Sequence, residues 1–375
     1  MHLETIKETR LYRYTTQVLT FLLDQWFFIG LAIFIALAHS YPNFAKQGGI
    51  IRAEYTIGYG AIAIIFLISG LSMSTKLLVV NILNWRAHFT VLTLSFLITS
   101  SIIFGISTGI KSAHNDKIDD WLLVGLIITH SCPTTVASNV VMTKLAHGND
   151  VLTLCEVFVG NMLGAFITPA LLQLYMRGTW DFGNPTNQIE VHTTIQHLYG
   201  ETMKQLGIAL FIPAFIGQII QNIFPKQTKW CLQTFKLNKV GSFMLLLNLF
   251  QAFSTAFAQN SFNEVSKESI IFLVFFNLGI YLFFTILTYF YCRLYVIKWM
   301  FKEEPNESSS IWYRYSYRIL YPFYYDRKDT VAIMLCGPAK TPVLGLPLIT
   351  SQYGAHSAIL GKLFIPLVLY QGEQM

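Results

Sequence analysis

Two stretches of sequence decide the fold: HSCPTTVASN, from His130 to Asn139, and CGPAKTPVLG, from Cys336 to Gly345. Each one interrupts a long apolar run with proline and small polar residues. Within a bilayer the backbone must satisfy its own hydrogen bonds, so a membrane-spanning helix normally avoids such residues. Two proline kinks would explain the pattern locally. However, four other apolar runs separate the two stretches, so they face opposite sides of the membrane, which favours a carrier with paired broken helices in inverted repeats.

The composition is typical of a membrane protein. Of the 375 residues, 53% are apolar and 12% are charged, and the mean hydropathy is +0.48. Soluble proteins carry about 25% charged residues. The net charge of +6 is spread over the segments between apolar runs, so we expect a lipid bilayer and no nucleic acid as partner. Five scattered cysteines form no CxxC pair and predict neither a disulfide framework nor a metal site, and no cofactor is expected.

Apolar runs of about twenty residues predict helices that cross the hydrocarbon core. A tenth apolar run, Ser357–Tyr370, is too short to do so. We expect that the last helix is truncated there and packs poorly, with a re-entrant segment as the alternative. The nine longer runs cover residues 22–41, 56–80, 88–110, 121–146, 150–176, 201–224, 240–259, 270–298 and 329–352.

The distribution of lysine and arginine predicts the orientation. With the N-terminus in the cytosol, the inside segments hold 17 of these residues and the outside segments hold 7. The loop 299–328 is then cytosolic, either as a solvated linker or as a segment that binds anionic lipids. The predicted organisation is a cytosolic N-terminal segment at 1–21, a first five-helix repeat at 22–176, an extracellular loop at 177–200 and a second five-helix repeat at 201–375.

Glu156 and Lys340 are ionisable residues inside predicted spans. An unpaired charge at the midplane costs on the order of 3 kcal/mol or more, so such residues face a polar cavity or each other. The sequence contains no HExxH motif, and we therefore expect no enzymatic activity. The candidate residues of an ion or substrate pathway are Pro133, Ser138, Asn139, Thr143, Glu156, Asn161, Cys336, Pro338, Lys340, Thr341 and Pro342.

The two interrupted stretches resemble those of the bile acid:sodium symporter superfamily. The similarity extends over nearly the whole chain and is greatest to the branch that contains member seven of solute carrier family 10 and the fungal regulators of calcium homeostasis. The residues that carry it are Ser131-Cys132-Pro133, Ser138-Asn139, the run from Thr143 to Asp150, Thr168-Pro169, the run from Asp329 to Ile333, Lys340, and the run from Leu344 to Pro347.

This resemblance implies ten helices in two inverted five-helix repeats. Helices 1, 2, 6 and 7 would form a panel and the others a core, in which the broken fourth and ninth helices cross. In sodium-coupled members the ion is bound by a Ser-Asn pair on the fourth helix, hydroxyls on the fifth, and a glutamate and a glutamine on the ninth. Ser138 and Asn139 match the pair.

Two positions depart from that sodium-binding pattern. Cys336 falls near the position of the family's glutamate, and Lys340 falls near that of the glutamine. An ammonium group is a poor neighbour for Na⁺. We expect instead that Lys340 acts as a built-in cation paired with Glu156 on the fifth helix. The alternative is that Lys340 extends to an interface and Glu156 faces a separate polar gap.

The branch implies a plasma-membrane protein that restrains calcium influx and lowers cytosolic calcium, with a Golgi or endoplasmic reticulum membrane as the alternative location. We expect it to act by alternating access around a midplane site that binds a small solute or ion. Two other functions stay open. One is sodium-coupled symport of an organic anion, and the other is a scaffold that transports nothing and inhibits a calcium channel. The oligomeric state is left open.

Overall fold

The structure, a computed structural model, describes residues 25–375 apart from 115–116, 136, 178–181, 184–185, 187–199, 201–202, 307–308 and 355–356. Within these residues every regular element is a helix and there is no strand. The predicted N-terminal segment 1–21 and most of the predicted loop 177–200 lie outside the described residues.

The helices are numbered here in chain order. They are α1 Trp26–Ser40, α2 Ala53–Ser72, α3 Thr75–Ile82, α4 Trp85–Ser112, α5 Asp120–Ser131, α6 Ala137–Leu145, α7 Asp150–Arg177, α8 Met203–Ile223, α9 Pro225–Thr234, α10 Leu237–Ala258, α11 Lys267–Cys292, α12 Tyr295–Met300, α13 Ile311–Leu320, α14 Arg327–Cys336, α15 Pro342–Tyr353 and α16 Leu360–Glu373. Short helical turns at Pro42–Ala45, Ser261–Glu264 and Tyr321–Phe323 remain unnumbered.

Six of the described helices are long and apolar enough to cross a membrane: α2, α4, α7, α8, α10 and α11. They coincide with six of the nine long apolar runs. Large side chains on α11 such as Phe275 (71% exposed) and Phe290 (59% exposed) face outward, as is typical of a lipid-facing surface. The prediction of an all-helical, multi-pass membrane protein is confirmed.

Two predicted runs are longer than the helices that form. The run 56–80 is divided because Met73 and Ser74 adopt extended backbone conformations between α2 and α3. The run 270–298 is interrupted after Cys292, whose carbonyl accepts a hydrogen bond from the Tyr325 amide (3.1 Å). The Arg293 guanidinium in turn donates to the Tyr325 carbonyl (2.9 Å). These tertiary hydrogen bonds end α11 at Cys292, although the apolar run continues beyond it.

The fourth and ninth spans are broken as predicted. Helix α5 ends at Ser131 because Pro133 disfavours a helical conformation for Cys132, which is extended (ψ 156°). Helix α15 begins at Pro342, where a missing amide proton is tolerated, and Thr341 caps it by accepting the Val343 amide. We call residues 132–135 the first break and residues 337–341 the second break.

The short last run packs well, so the prediction of poor packing is wrong. Helix α16 contacts α5, α10, α11 and α15, and most of its side chains, including Phe364 and Tyr370, are buried. At Gly125 of α5 an added Cβ would lie 2.8 Å from Pro366 Cγ and 2.9 Å from the Leu363 carbonyl. Because α16 is surrounded by protein, the length needed to cross lipid does not limit it.

Small residues bring other helices together. At Gly70 of α2 and Gly217 of α8, a Cβ on either residue would clash with the backbone of the other helix, a form of contact common between membrane helices. Helix α1 packs on α10. Helix α14 packs against α7 and α11, which places the second break beside the first.

Candidate functional site

The two breaks touch. The Thr341 amide donates a hydrogen bond to the Pro133 carbonyl (2.9 Å). The second break is also fixed from α16, because the Tyr370 hydroxyl donates to the Pro338 carbonyl (2.7 Å). Pro342 is buried at the start of α15. Predicted pathway residues from distant parts of the sequence therefore lie at one place.

A polar network surrounds the first break. The Asn139 amide donates to Thr134 Oγ1 (2.6 Å), and the Asn161 amide donates to the Thr134 carbonyl (3.1 Å). The Cys336 thiol lies close to Asn139 and Thr134. This network lies between α6, α7 and α14 and brings Asn139, Asn161 and Cys336 near one another.

Hydroxyl groups extend the network along α7. Thr153 Oγ1 donates to Thr143 Oγ1 (2.9 Å) and lies within hydrogen-bonding reach of Cys336. Ser138, whose neighbour Asn139 enters the network directly, donates a long hydrogen bond to Thr135 Oγ1 (3.5 Å). Thr153 was not among the predicted residues, although a threonine one helical turn after Asp150 on the fifth span is a signal in the sequence.

Lys340 is fully buried and its ammonium is bound by oxygen atoms. The Nζ atom donates to the Ser95 carbonyl (2.6 Å), to Ser95 Oγ (2.9 Å) and to the Cys132 carbonyl (3.1 Å). Three acceptors match the three protons of an ammonium group. Ser95 lies in a π-helical turn of α4, and Cys132 caps the C-terminal end of α5, where the helix dipole favours a cation.

The Lys340 backbone is clamped by the last helix. The Lys340 amide donates to Gln374 Oε1 (2.8 Å), and Gln374 Nε2 donates to the Lys340 carbonyl (2.7 Å). Neither Ser95 nor Gln374 was among the predicted pathway residues. A serine within an apolar run gives no distinguishing signal, and Gln374 comes after a run that is too short to span a bilayer.

The predicted Glu156–Lys340 ion pair is wrong. Glu156, fully buried on α7, lies against α4, where its Oε1 is 2.9 Å from His88 Nδ1. His88 Nε2 lies 3.0 Å from the Asn81 carbonyl. The prediction failed because neutral oxygen atoms accept the hydrogen bonds of the Lys340 ammonium. Glu156 instead contacts His88, which lies near the start of the third span.

A separate cavity of about 190 Å³ lies where α15 faces α2, α8 and α10. We call this surface the seam. Its lining is rich in amide and carboxylate groups. The Gln47 amide donates across the seam to Thr350 Oγ1 (3.3 Å). The residues that line it are Gln47, Glu54, Tyr55, Gly58, Tyr59, Gln205, Asn248, Gln251, Leu346, Pro347 and Thr350.

Among the residues that the structure describes, no group of three or more histidine, cysteine or acidic side chains is arranged to hold a metal ion. The arrangement instead provides a buried fixed cation, a hydroxyl and amide network at two broken helices, and a polar cavity between helix groups. Such elements are typical of the solute-binding sites of carriers.

Comparison with known proteins identifies the transporters that the chain resembles. The model of the SBF-like CPA transporter family matches residues 25–375. The chain is 70% identical over 375 residues to solute carrier RCH1 of Candida albicans, covering 100% of this chain and 91% of that protein. It is 56% identical over 362 residues to solute carrier RCH1 of Saccharomyces cerevisiae, covering 96% and 82%. It is 27% identical over 353 residues to sodium/bile acid cotransporter 7 of Rattus norvegicus, covering 94% and 89%.

Proposed function

The chain belongs to the SBF-like CPA transporter family, and from this membership and the geometry of the breaks we propose that it is a secondary carrier that works by alternating access. The resemblance to the bile acid:sodium symporters is confirmed. The chain is a solute-carrier-like membrane protein. Its mode of transport and its effect on cytosolic calcium are what we propose.

The observation that carries the proposal is the contact between the two breaks. The Thr341 amide binds the Pro133 carbonyl, so two interrupted helices present polar backbone inside the protein, where it is tolerated only if it lines a cavity or is buried. We assign the breaks to corresponding positions of two inverted repeats, 22–176 and 201–375. Rocking of one helix group against the other around such a site is the expected mode of transport.

The seam is the proposed route for the solute. It separates α15 from α2, α8 and α10, the helices that would belong to the panel. Its amide and carboxylate lining suits a small polar solute. With the N-terminus in the cytosol, the seam lies in the extracellular half, next to Lys46 and Arg52. Labelling of cysteines placed in 299–328 from outside intact cells would contradict this orientation.

Lys340 makes sodium coupling unnecessary in this proposal. Its ammonium occupies a position bounded by two carbonyls and a hydroxyl, and carbonyl and hydroxyl oxygens are ligands that small cations also use. The built-in cation therefore persists as a proposal, without a carboxylate partner. We propose that transport proceeds without Na⁺.

For the cell, we propose that the carrier acts at the plasma membrane and restrains calcium influx. The support is the resemblance of the chain to the branch containing the fungal regulators of calcium homeostasis. Two alternatives predict different behaviour: a sodium-coupled organic-anion symporter would depend on Na⁺, and a scaffold that inhibits a calcium channel would act without any transport.

The experiment uses cells that lack their own copy of the protein. Asn139→Ala removes the amide that binds Thr134 at the first break, and Gln227→Ala, at an exposed position on α9, is the matched control. We expect Asn139→Ala to lose calcium restraint under high external calcium while its surface expression equals that of the control. Preserved restraint would favour the scaffold. Uptake of taurocholate driven by Na⁺ in proteoliposomes would favour the symporter.

A further inference from the structure

We propose that Glu156 and His88 form a proton-binding site that couples proton movement to the conformational cycle of the carrier. The coupling rests on the proposed function, whereas the proton binding is a property of the protein alone. No substrate is needed to observe either one.

The geometry places two titratable groups in contact. The Asn81 carbonyl can only accept a hydrogen bond, so the His88 Nε2 atom that lies 3.0 Å from it carries a proton. His88 Nδ1 lies 2.9 Å from Glu156 Oε1, close enough for an ion pair but not aligned as a hydrogen bond, and so close a contact is favourable only when the pair holds a second proton. It resides either on the imidazole, giving an ion pair, or on the carboxyl, giving a neutral pair. Loss of that proton leaves a carboxylate facing a nitrogen lone pair, which is repulsive.

The carboxyl also has room for one proton more. Glu156 Oε2, like Glu156 Oε1 and His88 Nδ1, is buried and makes no hydrogen bond of regular geometry among the described residues. A proton on Oε2 would leave the contact between Oε1 and an imidazolium intact. Buried polar atoms are nearly always satisfied, and an exception calls for an explanation. A site that alternates between protonation states supplies one.

The side chains around His88 and Glu156 are neutral, so the pair itself determines the local charge. Within the described part of the chain, the titratable groups that face it are the Cys155 thiol on α7, the Cys336 thiol on α14 and the Tyr325 hydroxyl before α14. Thiols and phenols are ordinarily neutral at pH 7. Lys340 is engaged elsewhere, by Ser95 and Cys132. A proton gained or lost by the pair therefore changes the net charge in this part of the protein.

His88 provides the route for the proton. Its side chain is 10% exposed, whereas that of Glu156 is 0% exposed. On the other side, Glu156 is close enough to Cys336 to influence it electrostatically, and Cys336 belongs to the network at the breaks. The pair thus connects solvent at one end of the protein to the place where the broken helices meet.

The same contacts link two groups of helices. Asn81 belongs to α3, which is bound to α8 through Thr75: Asn222 Nδ2 donates to Thr75 Oγ1 (2.7 Å), and Thr75 Oγ1 donates to Gln218 Oε1 (2.8 Å). Glu156 belongs to α7, which holds the first break. If α8 moves relative to α7, α3, which contacts both helices, cannot keep both sets of contacts. Where α3 stays with α8, the chain of contacts from Asn81 through His88 to Glu156 lengthens. Protonation alters the strength of the contact between His88 and Glu156 and so shifts the equilibrium between the conformations of the carrier.

The first test measures protonation directly. The purified full chain in lipid nanodiscs is treated with dicyclohexylcarbodiimide, which reacts with protonated carboxyl groups in apolar surroundings, and modification is located by mass spectrometry. We expect modification of Glu156 to increase as the pH falls from 8.5 to 5.5. In His88→Ala, which lacks the cationic partner, it should persist to higher pH. Glu264, whose side chain is 59% exposed, is the internal control. Absent or pH-independent modification of Glu156 would overturn the proposal.

The second test measures coupling without a substrate. Thr350→Cys places a thiol in the seam, in a Cys231→Ser background that removes the one free cysteine that is only half-buried. Its rate of maleimide labelling is divided by that of Ile50→Cys, a 75% exposed position, to cancel the pH dependence of the reagent. We expect this ratio to change several-fold between pH 5.5 and 8.5 and to be flat when Glu156→Gln is added. A flat ratio in the Thr350→Cys protein that retains Glu156 would contradict coupling.

Discussion

At the scale of single residues, Lys340 is the most unusual feature of the chain. A buried charge without compensation is strongly unfavourable. Here the compensation comes from the Ser95 and Cys132 oxygens and not from a carboxylate. The ammonium therefore joins α4 to the end of α5 and fixes the second break against the first. This role makes a prediction that does not depend on knowing the solute.

Lys340→Ala should leave the two carbonyls and the Ser95 hydroxyl unpaired in a cavity. We expect a loss of about 3 kcal/mol in the free energy of unfolding, since each buried unsatisfied group costs about 1–3 kcal/mol. Millimolar n-propylammonium, which matches the deleted atoms, should restore part of the melting temperature of the purified variant. Lys298→Ala, at an exposed lysine, should change the free energy of unfolding by no more than about 0.5 kcal/mol.

Tetramethylammonium serves as the control ligand because it carries the same charge but has no N–H group. If it stabilises Lys340→Ala as well as n-propylammonium does, the oxygen atoms do not form a specific ammonium site, and the built-in cation is wrong.

The sequence identifies the two buried charges but not the residues that they contact. Glu156 and Lys340 were identified as buried charges because few ionisable residues lie within apolar runs. Their partners were not predictable, since His88 and Ser95 meet them only after helices distant in sequence have packed. Counting charges along a chain finds a residue that needs a partner but does not find the partner.

At the scale of helices, the two breaks are explained by local sequence. Pro133 and Pro342 determine where α5 ends and α15 begins, and this was predicted. The packing of α16 was not, because apolar length predicts whether a helix crosses lipid and says nothing about a helix enclosed by protein. The Gln374 clamp on Lys340 shows that α16 also positions the second break.

The contact between α5 and α16 can be tested with two glycines. Gly125→Ala would place a Cβ 2.9 Å from the Leu363 carbonyl, whereas at Gly105 of α4 nothing lies within 4 Å of an added Cβ. We expect Gly125→Ala to destabilise the protein by about 1–3 kcal/mol, since backbone cannot easily shift. Gly105→Ala should be neutral or slightly stabilising because alanine favours a helix. The measurement is the melting temperature of each purified variant. Equal melting temperatures would show that α16 does not pack closely on α5.

At the scale of the whole molecule, hydropathy located most of the spans, and the breaks suggested the class of protein. The seam could not have been predicted, because its residues come from four helices and the loop that precedes α2. Neither hydropathy nor motif spacing says which faces of helices turn toward each other. The central proposal, that the helix groups on either side of the seam move during function, rests on the family to which the chain belongs and on the contact between the two breaks.

One measurement tests this claim directly. Gln47 and Thr350 meet across the seam, so a double variant, Gln47→Cys with Thr350→Cys, can be bridged by a short, reducible bis-methanethiosulfonate reagent. The readout is cytosolic calcium under high external calcium, in cells that lack their own copy. Both single variants, treated with the same reagent, are the controls.

A carrier that must open and close the seam predicts that the bridged double variant fails to restrain calcium and recovers after reduction, while the treated single variants, whose adduct lies in the solute route without joining its two sides, lose less of the restraint. If the bridged protein restrains calcium as well as the unbridged one, movement across the seam is not required, and the account of this protein as an alternating-access carrier is contradicted.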